Sequence, residues 1–272
     1  MANKPCALLL RRALTCALAL MALPFCSAQT AEQNLPPSRH VVDRTSAIVA
    51  DLMNQLSDVE CTELVSQTRL EKSGKADYAE DSSFDYVVLA ESNGGELTFA
   101  ESRLAKQAPR KTKNLPLMVT NGFSTLLLIF HPYYRAGFEV TPLEDASADG
   151  KTYARLAFRH IRGLRSTTAL MVRGREYPLD LQGEAWIDRD TGMIWKMTAG
   201  LEAPLEDIGL RSLNAEVVYG PVKFQGTSNT YWLPQSAVIE VESPRQHWRN
   251  VHRFTAYHQF ATNVKEKVSG QP

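Results

Sequence analysis

The sequence predicts a mainly-β α+β fold: an antiparallel sheet covered by an N-terminal helix and a short central helix. Three observations carry this. The stretch Gly183–Leu201, GEAWIDRDTGMIWKMTAGL, reads as a β-hairpin. Segments of alternating polarity, separated by turn residues, recur on both sides of it. A helical stripe stands near the start, and there is no βα alternation of the kind that builds a parallel nucleotide-binding sheet. In the hairpin, Asp190 can bond its own backbone two residues on and Gly192 can take positive φ, so the turn has a mechanism. Ala185 and Ile187 share one face of the outgoing strand and Trp186 the other; Met193, Trp195 and Met197 share a face of the return strand, with Ile194 opposite. Neither face is uniformly polar, so the sheet needs cover on both sides.

The first 28 residues read as a signal peptide. Lys4, Arg11 and Arg12 form a positive start, Ala13–Phe25 an apolar centre, and Cys26-Ser27-Ala28 a small-residue cleavage site before Gln29. The apolar centre is too short to span a bilayer comfortably. Bulky Phe25 argues against acylation of Cys26 and for simple export to the periplasm or medium. Residues 29–40 are a flexible lead-in, 41–263 a single β-rich domain, and 264–272 a flexible tail. Export removes three cations and no anions, leaving 27 Lys and Arg against 30 Asp and Glu, a net charge of −3. That balance excludes nucleic acid as a partner. Cys61 is the one cysteine after residue 28, so an intramolecular disulfide is excluded; a buried thiol is favoured over a reactive one.

Ser38–Leu56 is the best helix, with Val42, Ile48, Val49, Leu52, Met53 and Leu56 on a stripe at three- and four-residue spacing. Val59–Lys72 changes period: Val59, Cys61, Glu63 and Val65 alternate with Glu60, Thr62 and Leu64 in a long strand of mixed faces. Ser73–Ser83 reads as a polar loop. Phe84–Glu91 and Glu96–Ser102 form a hairpin about Asn93-Gly94-Gly95. Arg103–Asn114 carries five cations and reads as a solvated loop, or as an anionic docking patch. Thr120 or Asn121 can cap a short helix through Phe130, stopped by Pro132 and covered on most sides. An antiparallel meander follows: strands at Phe138–Leu143 and Lys151–Ile161, a less clear stretch over Leu164–Arg175, the central hairpin, then Leu213–Phe224, Tyr231–Glu242 and His247–Phe260. Pro234 places an edge or a bend in the penultimate strand.

Catalytic chemistry is sparse. There is no Gly-rich phosphate loop, zinc-type Cys/His spacing or Ser elbow, and no cofactor is expected. His252 and His258 share a strand parity, but six residues along a strand is about 20 Å, too far to share a metal ion. Asp188 and Asp190 form a carboxylate pair of the kind a polymer hydrolase uses, although turn chemistry explains them better. Arg155, Arg159, Arg162, Arg165, Arg173 and Arg175 fit cross-strand ion pairs with Glu139, Glu144 and Asp145, or an anionic surface. The set Trp186, Met193, Trp195, Met197, Tyr219, Phe224 and Trp232 fits either a packed core or an apolar cavity for an acyl chain.

The run Ala-Trp-Ile-Asp-x-x-Thr-Gly-x-Ile at Ala185–Ile194, followed by VVYGPVKF (Val217–Phe224) and WLPQSAVIEV (Trp232–Val241) and preceded by the helix Val42–Leu56, resembles the periplasmic lipoprotein carriers of the LolA/LolB-like superfamily. That resemblance implies a curved sheet, an unclosed barrel, with helices over a hydrophobic cavity and no catalytic residues. It implies a non-enzymatic carrier of a lipid or of lipoprotein acyl chains, with peripheral membrane contact. The cavity would be lined by Leu52, Phe123 and Leu127 of the helices and by Trp186, Met193, Trp195, Met197, Tyr219 and Trp232 of the sheet. The alternative is an interaction module of the cell envelope with a filled core.

Overall fold

In the computed structural model the described residues are 37–55, 59–93, 96–106, 126–172, 174–224 and 230–259. Helix α1 (Pro37–Gln55) opens on a proline, which lacks an N–H that the first turn would leave unpaired. Val42, Val49, Leu52 and Met53 are its buried stripe, as the spacing predicts. Thirteen strands follow: β1 (Val59–Leu70), β2 (Ala76–Asn93), β3 (Glu96–Ala105), β4 (Phe138–Pro142), β5 (Ala146–Ala148), β6 (Lys151–His160), β7 (Ala169–Val172), β8 (Arg175–Pro178), β9 (Leu181–Asp188), β10 (Ile194–Leu201), β11 (Ser212–Lys223), β12 (Thr230–Glu242) and β13 (His247–Gln259).

Eleven of them form one antiparallel sheet in the order β3-β2-β1-β13-β12-β11-β10-β9-β6-β4, with β5 added on β6; β7 and β8 pair separately. The sheet is unclosed, as expected. Its curl follows from one bond. Nine strand spacings of about 4.8 Å would set β3 and β4 roughly 43 Å apart if the sheet were flat. Yet Tyr134, four residues before β4, donates its hydroxyl to the Leu97 carbonyl of β3 at 2.9 Å. The two edges therefore bend toward each other around a shared interior. That interior is filled by one apolar cluster that includes Met53 of α1, Phe130, Leu156 of β6, Ile187 of β9, Met197 of β10 and Tyr219 of β11.

Several local expectations change. β2 begins at Ala76, so most of the expected loop Ser73–Ser83 is strand. Polar cross-strand pairs hold it: Ser66 donates to Asp81 at 2.6 Å and Arg69 to Asp77 at 2.9 Å, and such pairs leave no apolar alternation to read. The expected central helix is described only from Leu126; Leu128–Phe130 is a 3-10 turn, followed by the one-turn helix α2 (Pro132–Arg135). Leu126–Phe130 is buried throughout. Pro234 lies on an interior strand, not an edge. The ladder is irregular there: the β11–β12 register shifts between Val218 and Tyr219, and pairing with β13 runs only from Ser236 onward, which leaves Pro234 unpaired on that side.

Two bulges decide which way side chains point. Between Ile194 and Lys196 the β9–β10 register slips by one residue. Ile194 and Met197 therefore face the interior, while Trp195 and Lys196 both face outward. A second slip, between Glu60 and Thr62 opposite Ala256 at φ +50°, turns His252 inward and leaves His258 outside.

Candidate functional site: an apolar groove under helix α1

The turn between β9 and β10 docks on α1. Thr45 Oγ1, fully buried, donates to the Gly192 carbonyl at 3.0 Å, and the Arg44 guanidinium donates to the carbonyls of Arg189 and Asp190. Gly192 has φ +76°, and a Cβ there would meet Arg44 Nε at 2.9 Å and Ile48 Cδ1 at 3.0 Å. Glycine thus serves both the turn and the close seating of the helix. Beneath this contact runs a groove of about 220 Å³. Ile48, Val49 and Leu52 of α1 form one wall; Leu127, Ile194 and Trp232 form the other. Trp232 is pinned by its indole N–H, which donates to the Ile194 carbonyl at 2.6 Å. Polar groups at the groove are few: Thr45, Asp51 and Thr230.

The groove gathers four of the nine residues expected to line a cavity: Leu52, Leu127, Met193 and Trp232. Met197 and Tyr219 are instead core, 0% and 1% exposed. Burial pushes the Tyr219 phenol far above its ordinary pKa. Trp186 and Trp195 lie on the outer face, where Trp195 stacks on Tyr153 at 4.6 Å and Lys196 Nζ sits 4.2 Å over Trp186. For Trp195 the bulge before Lys196 is the reason: parity counted from Met193 places it inside, and the extra residue reverses it; Trp186 is outward by plain alternation with the buried Ala185 and Ile187. Phe123 lies outside the described residues.

The sequence reading missed a charged cluster on the inner face of β1. Glu63, fully buried, accepts from Arg103 Nε at 2.5 Å and from Arg103 Nη2 at 3.2 Å, and His252 Nδ1 lies 2.8 Å away. Arg103 starts on β3 and crosses the Tyr86 ring of β2, 4.3 Å from its centroid, to reach β1. Burial alone would raise the Glu63 carboxyl, but the bonds from His252 and Arg103 outweigh it and hold it below the usual range. The signal was present. Glu63 shares its parity with Val59, Cys61 and Val65, the face that is buried. Arg103 is therefore no member of a solvated loop, while residues 107–114 of that predicted segment lie outside the described residues. Cys61, beside this cluster, has its thiol pushed up to about 12, first by burial and then by Glu63, which suppresses the thiolate and its reactivity.

The carboxylate pair resolves into turn chemistry. Asp188 Oδ1 accepts the N–H groups of Asp190 and Thr191, both at 3.0 Å, and Oδ2 accepts from Lys151 at 2.9 Å. Burial raises its pKa, and the bonds from Lys151 and Thr191 more than offset this, so the carboxyl lies below its ordinary value. Stability from this group is present above the ordinary carboxylate pKa and is lost as pH falls through the lower folded value. Asp188→Ala is expected to cost about 1–3 kcal/mol, because two turn N–H groups lose their acceptor; thermal melting at pH 7 measures it. On the sheet the arginines face acids, Arg155 with Glu184 and Arg159 with Glu139, each at 2.7 Å. Among the described residues no group of three or more His, Cys, Asp or Glu is placed to hold a metal ion, and no helix is long and apolar enough to cross a membrane.

No family model matches the chain, and no curated protein matches it in sequence. Solved structures do resemble it. A DUF1329 family protein from Desulfovibrio piger ATCC 29098 is 13% identical, with 84% of this chain and 95% of that chain covered, at a TM-score of 0.44. A LolA superfamily protein from Nitrosomonas europaea is 8% identical, with 79% and 94% covered, at 0.39. An outer membrane lipoprotein-sorting protein domain from Vibrio parahaemolyticus is 9% identical, with 83% and 95% covered, at 0.40. A LolA superfamily protein is thus among the solved structures that this chain resembles.

Proposed function

We propose that the chain is an exported, non-enzymatic binding protein, with Met1–Ala28 as its signal peptide and one binding domain over residues 41–263. It holds a lipid or an acylated partner by a single apolar tail in the groove under α1. The groove itself supports the reading: an apolar slot between a helix and the inner face of the sheet, with few polar groups. Each CH₂ buried there contributes roughly 0.8 kcal/mol before the costs of binding. Its volume of about 220 Å³ lies below the ~300–1,000 Å³ of drug-sized sites, so it suits the end of one chain and not both chains of a phospholipid.

Mass spectrometry of lipids extracted from natively purified protein tests this, with uptake of a fluorescent fatty acid as the second arm. Leu52→Trp, which fills the groove, is expected to weaken uptake by at least about ten-fold, on the order of 1.4 kcal/mol. Protein that is consistently empty and takes up no added fatty acid or phospholipid counts against the reading. One observation favours the alternative, an interaction module of the envelope: Met197 and Tyr219 fill the space a larger cavity would need. Copurification of a stoichiometric protein partner with lipid-free protein supports that alternative.

A further inference from the structure

We propose that the connection between β6 and β9 is a docking surface for an anionic phospholipid bilayer. Residues 161–180 leave one end of the sheet, form a turn closed by the Leu164 N–H donating to the Ile161 carbonyl at 3.0 Å, build the β7–β8 hairpin, and return to β9. This stretch holds four arginines against two acids, Glu176 and Asp180, in a chain whose residues 29–272 are acidic overall. Arg173 lies outside the described residues; Arg162, Arg165 and Arg175 are the described cations of this stretch. Asp180 is turned inward, with Oδ1 2.7 Å from His160 Nδ1, a ring that is buried. Arg162 keeps 74% of its side chain exposed even while contacting Asp180 at 3.1 Å.

Arg165 and Arg175 have no carboxylate partner among the described residues. They lie over tyrosine rings, Arg165 3.8 Å from the Tyr133 centroid and Arg175 5.0 Å from that of Tyr177. This differs from β6, where Arg155 and Arg159 each face a carboxylate at 2.7 Å. Between the cations stands Leu164, 49% exposed.

This mixture fits a bilayer surface. Guanidinium groups accept phosphate oxygens in a fork geometry, tyrosine rings settle at headgroup level, and an exposed leucine reaches the acyl boundary. Each arginine near an anionic surface is worth roughly a five-fold gain in partitioning. None of these residues lines the groove under α1, so bilayer docking does not depend on what the groove holds.

Cosedimentation with vesicles of phosphatidylcholine, with or without ~30% phosphatidylglycerol, tests it, using the purified protein at low salt. Binding is expected to the mixed vesicles only and to weaken as salt rises. The triple variant Arg162→Gln/Arg165→Gln/Arg175→Gln should bind about a hundred-fold less, and Leu164→Ser a few-fold less. Arg211→Gln/Arg245→Gln, which removes charge from the polar cleft beside Glu242 and His247, should leave binding unchanged. If the triple variant misfolds, Arg162→Gln and Arg175→Gln alone should each lose about five-fold. Equal binding to both vesicle types, no binding to either, or full binding by the arginine variants overturns the proposal.

Discussion

Glu63→Ala is expected to destabilise the fold by about 3–5 kcal/mol, the range for removing one partner of a buried ion pair. The carboxylate is fully buried and receives both Arg103 and His252, so the substitution takes from a largely buried guanidinium the carboxylate that accepts two of its N–H groups. Removing Arg103 as well should recover part of the loss, since a charge that is absent needs no anion; the double-mutant cycle Glu63→Ala/Arg103→Ala measures that coupling. The pH dependence has a fixed sign. The folded carboxyl lies below its ordinary value, so its contribution is complete above the ordinary carboxylate range and vanishes as pH falls through the folded value. Urea titrations at pH 7 and pH 3 should show the wild type losing part of this increment on acidification and Glu63→Ala lacking it at both. A cost under about 1 kcal/mol at pH 7 would remove the cluster from the account of stability.

Gly183→Ala should be comparably severe, at least about 3 kcal/mol or no soluble protein, because large single-site losses follow when the neighbours cannot yield. A Cβ at Gly183 would stand 1.9 Å from the Thr198 carbonyl oxygen and 2.9 Å from the Ala199 Cα, all backbone of β10. Making room means separating the two strands of the central hairpin. Gly200→Ala is the control. Its added carbon would meet Asn214 Oδ1 at 2.6 Å, the end of an exposed side chain that can turn away, and the expected cost is below about 1 kcal/mol. Urea midpoints of the two variants should differ clearly; equal midpoints would mean that β9 and β10 adapt more easily than their spacing implies.

What the chain reveals before folding depends on the kind of signal. The stripe on α1 and the hairpin about Asp190 and Gly192 are legible because local geometry alone specifies them. The parity of Trp195 is not, since a bulge is set by the partner strand. One inserted residue moved Trp195 out of the expected cavity, and plain alternation with the buried Ala185 and Ile187 put Trp186 outside, while Leu52, Met193 and Trp232 stayed with it. Glu63 was legible by position and not by chemistry: its alternation gave the right face, but an acid there makes sense only once Arg103, forty residues away, is seen crossing Tyr86. The strand at Ala76–Ser83 was hidden for a related reason, because serine, aspartate and arginine pairs hold it without an apolar rhythm.

The placement of Trp232 has a practical consequence. The chain has four tryptophans, and among them only this indole lines the groove. Trp186 and Trp195 share the outer face with Lys196, and Trp248 packs edge-on against Tyr78 at 6.0 Å, beside Arg69. Replacing those three with phenylalanine yields a protein with one tryptophan, whose emission colour and quenching by a brominated fatty acid, excited to the red of the tyrosines, report on a single location. The molecule carries its own optical gauge, and no dye need be attached to read it.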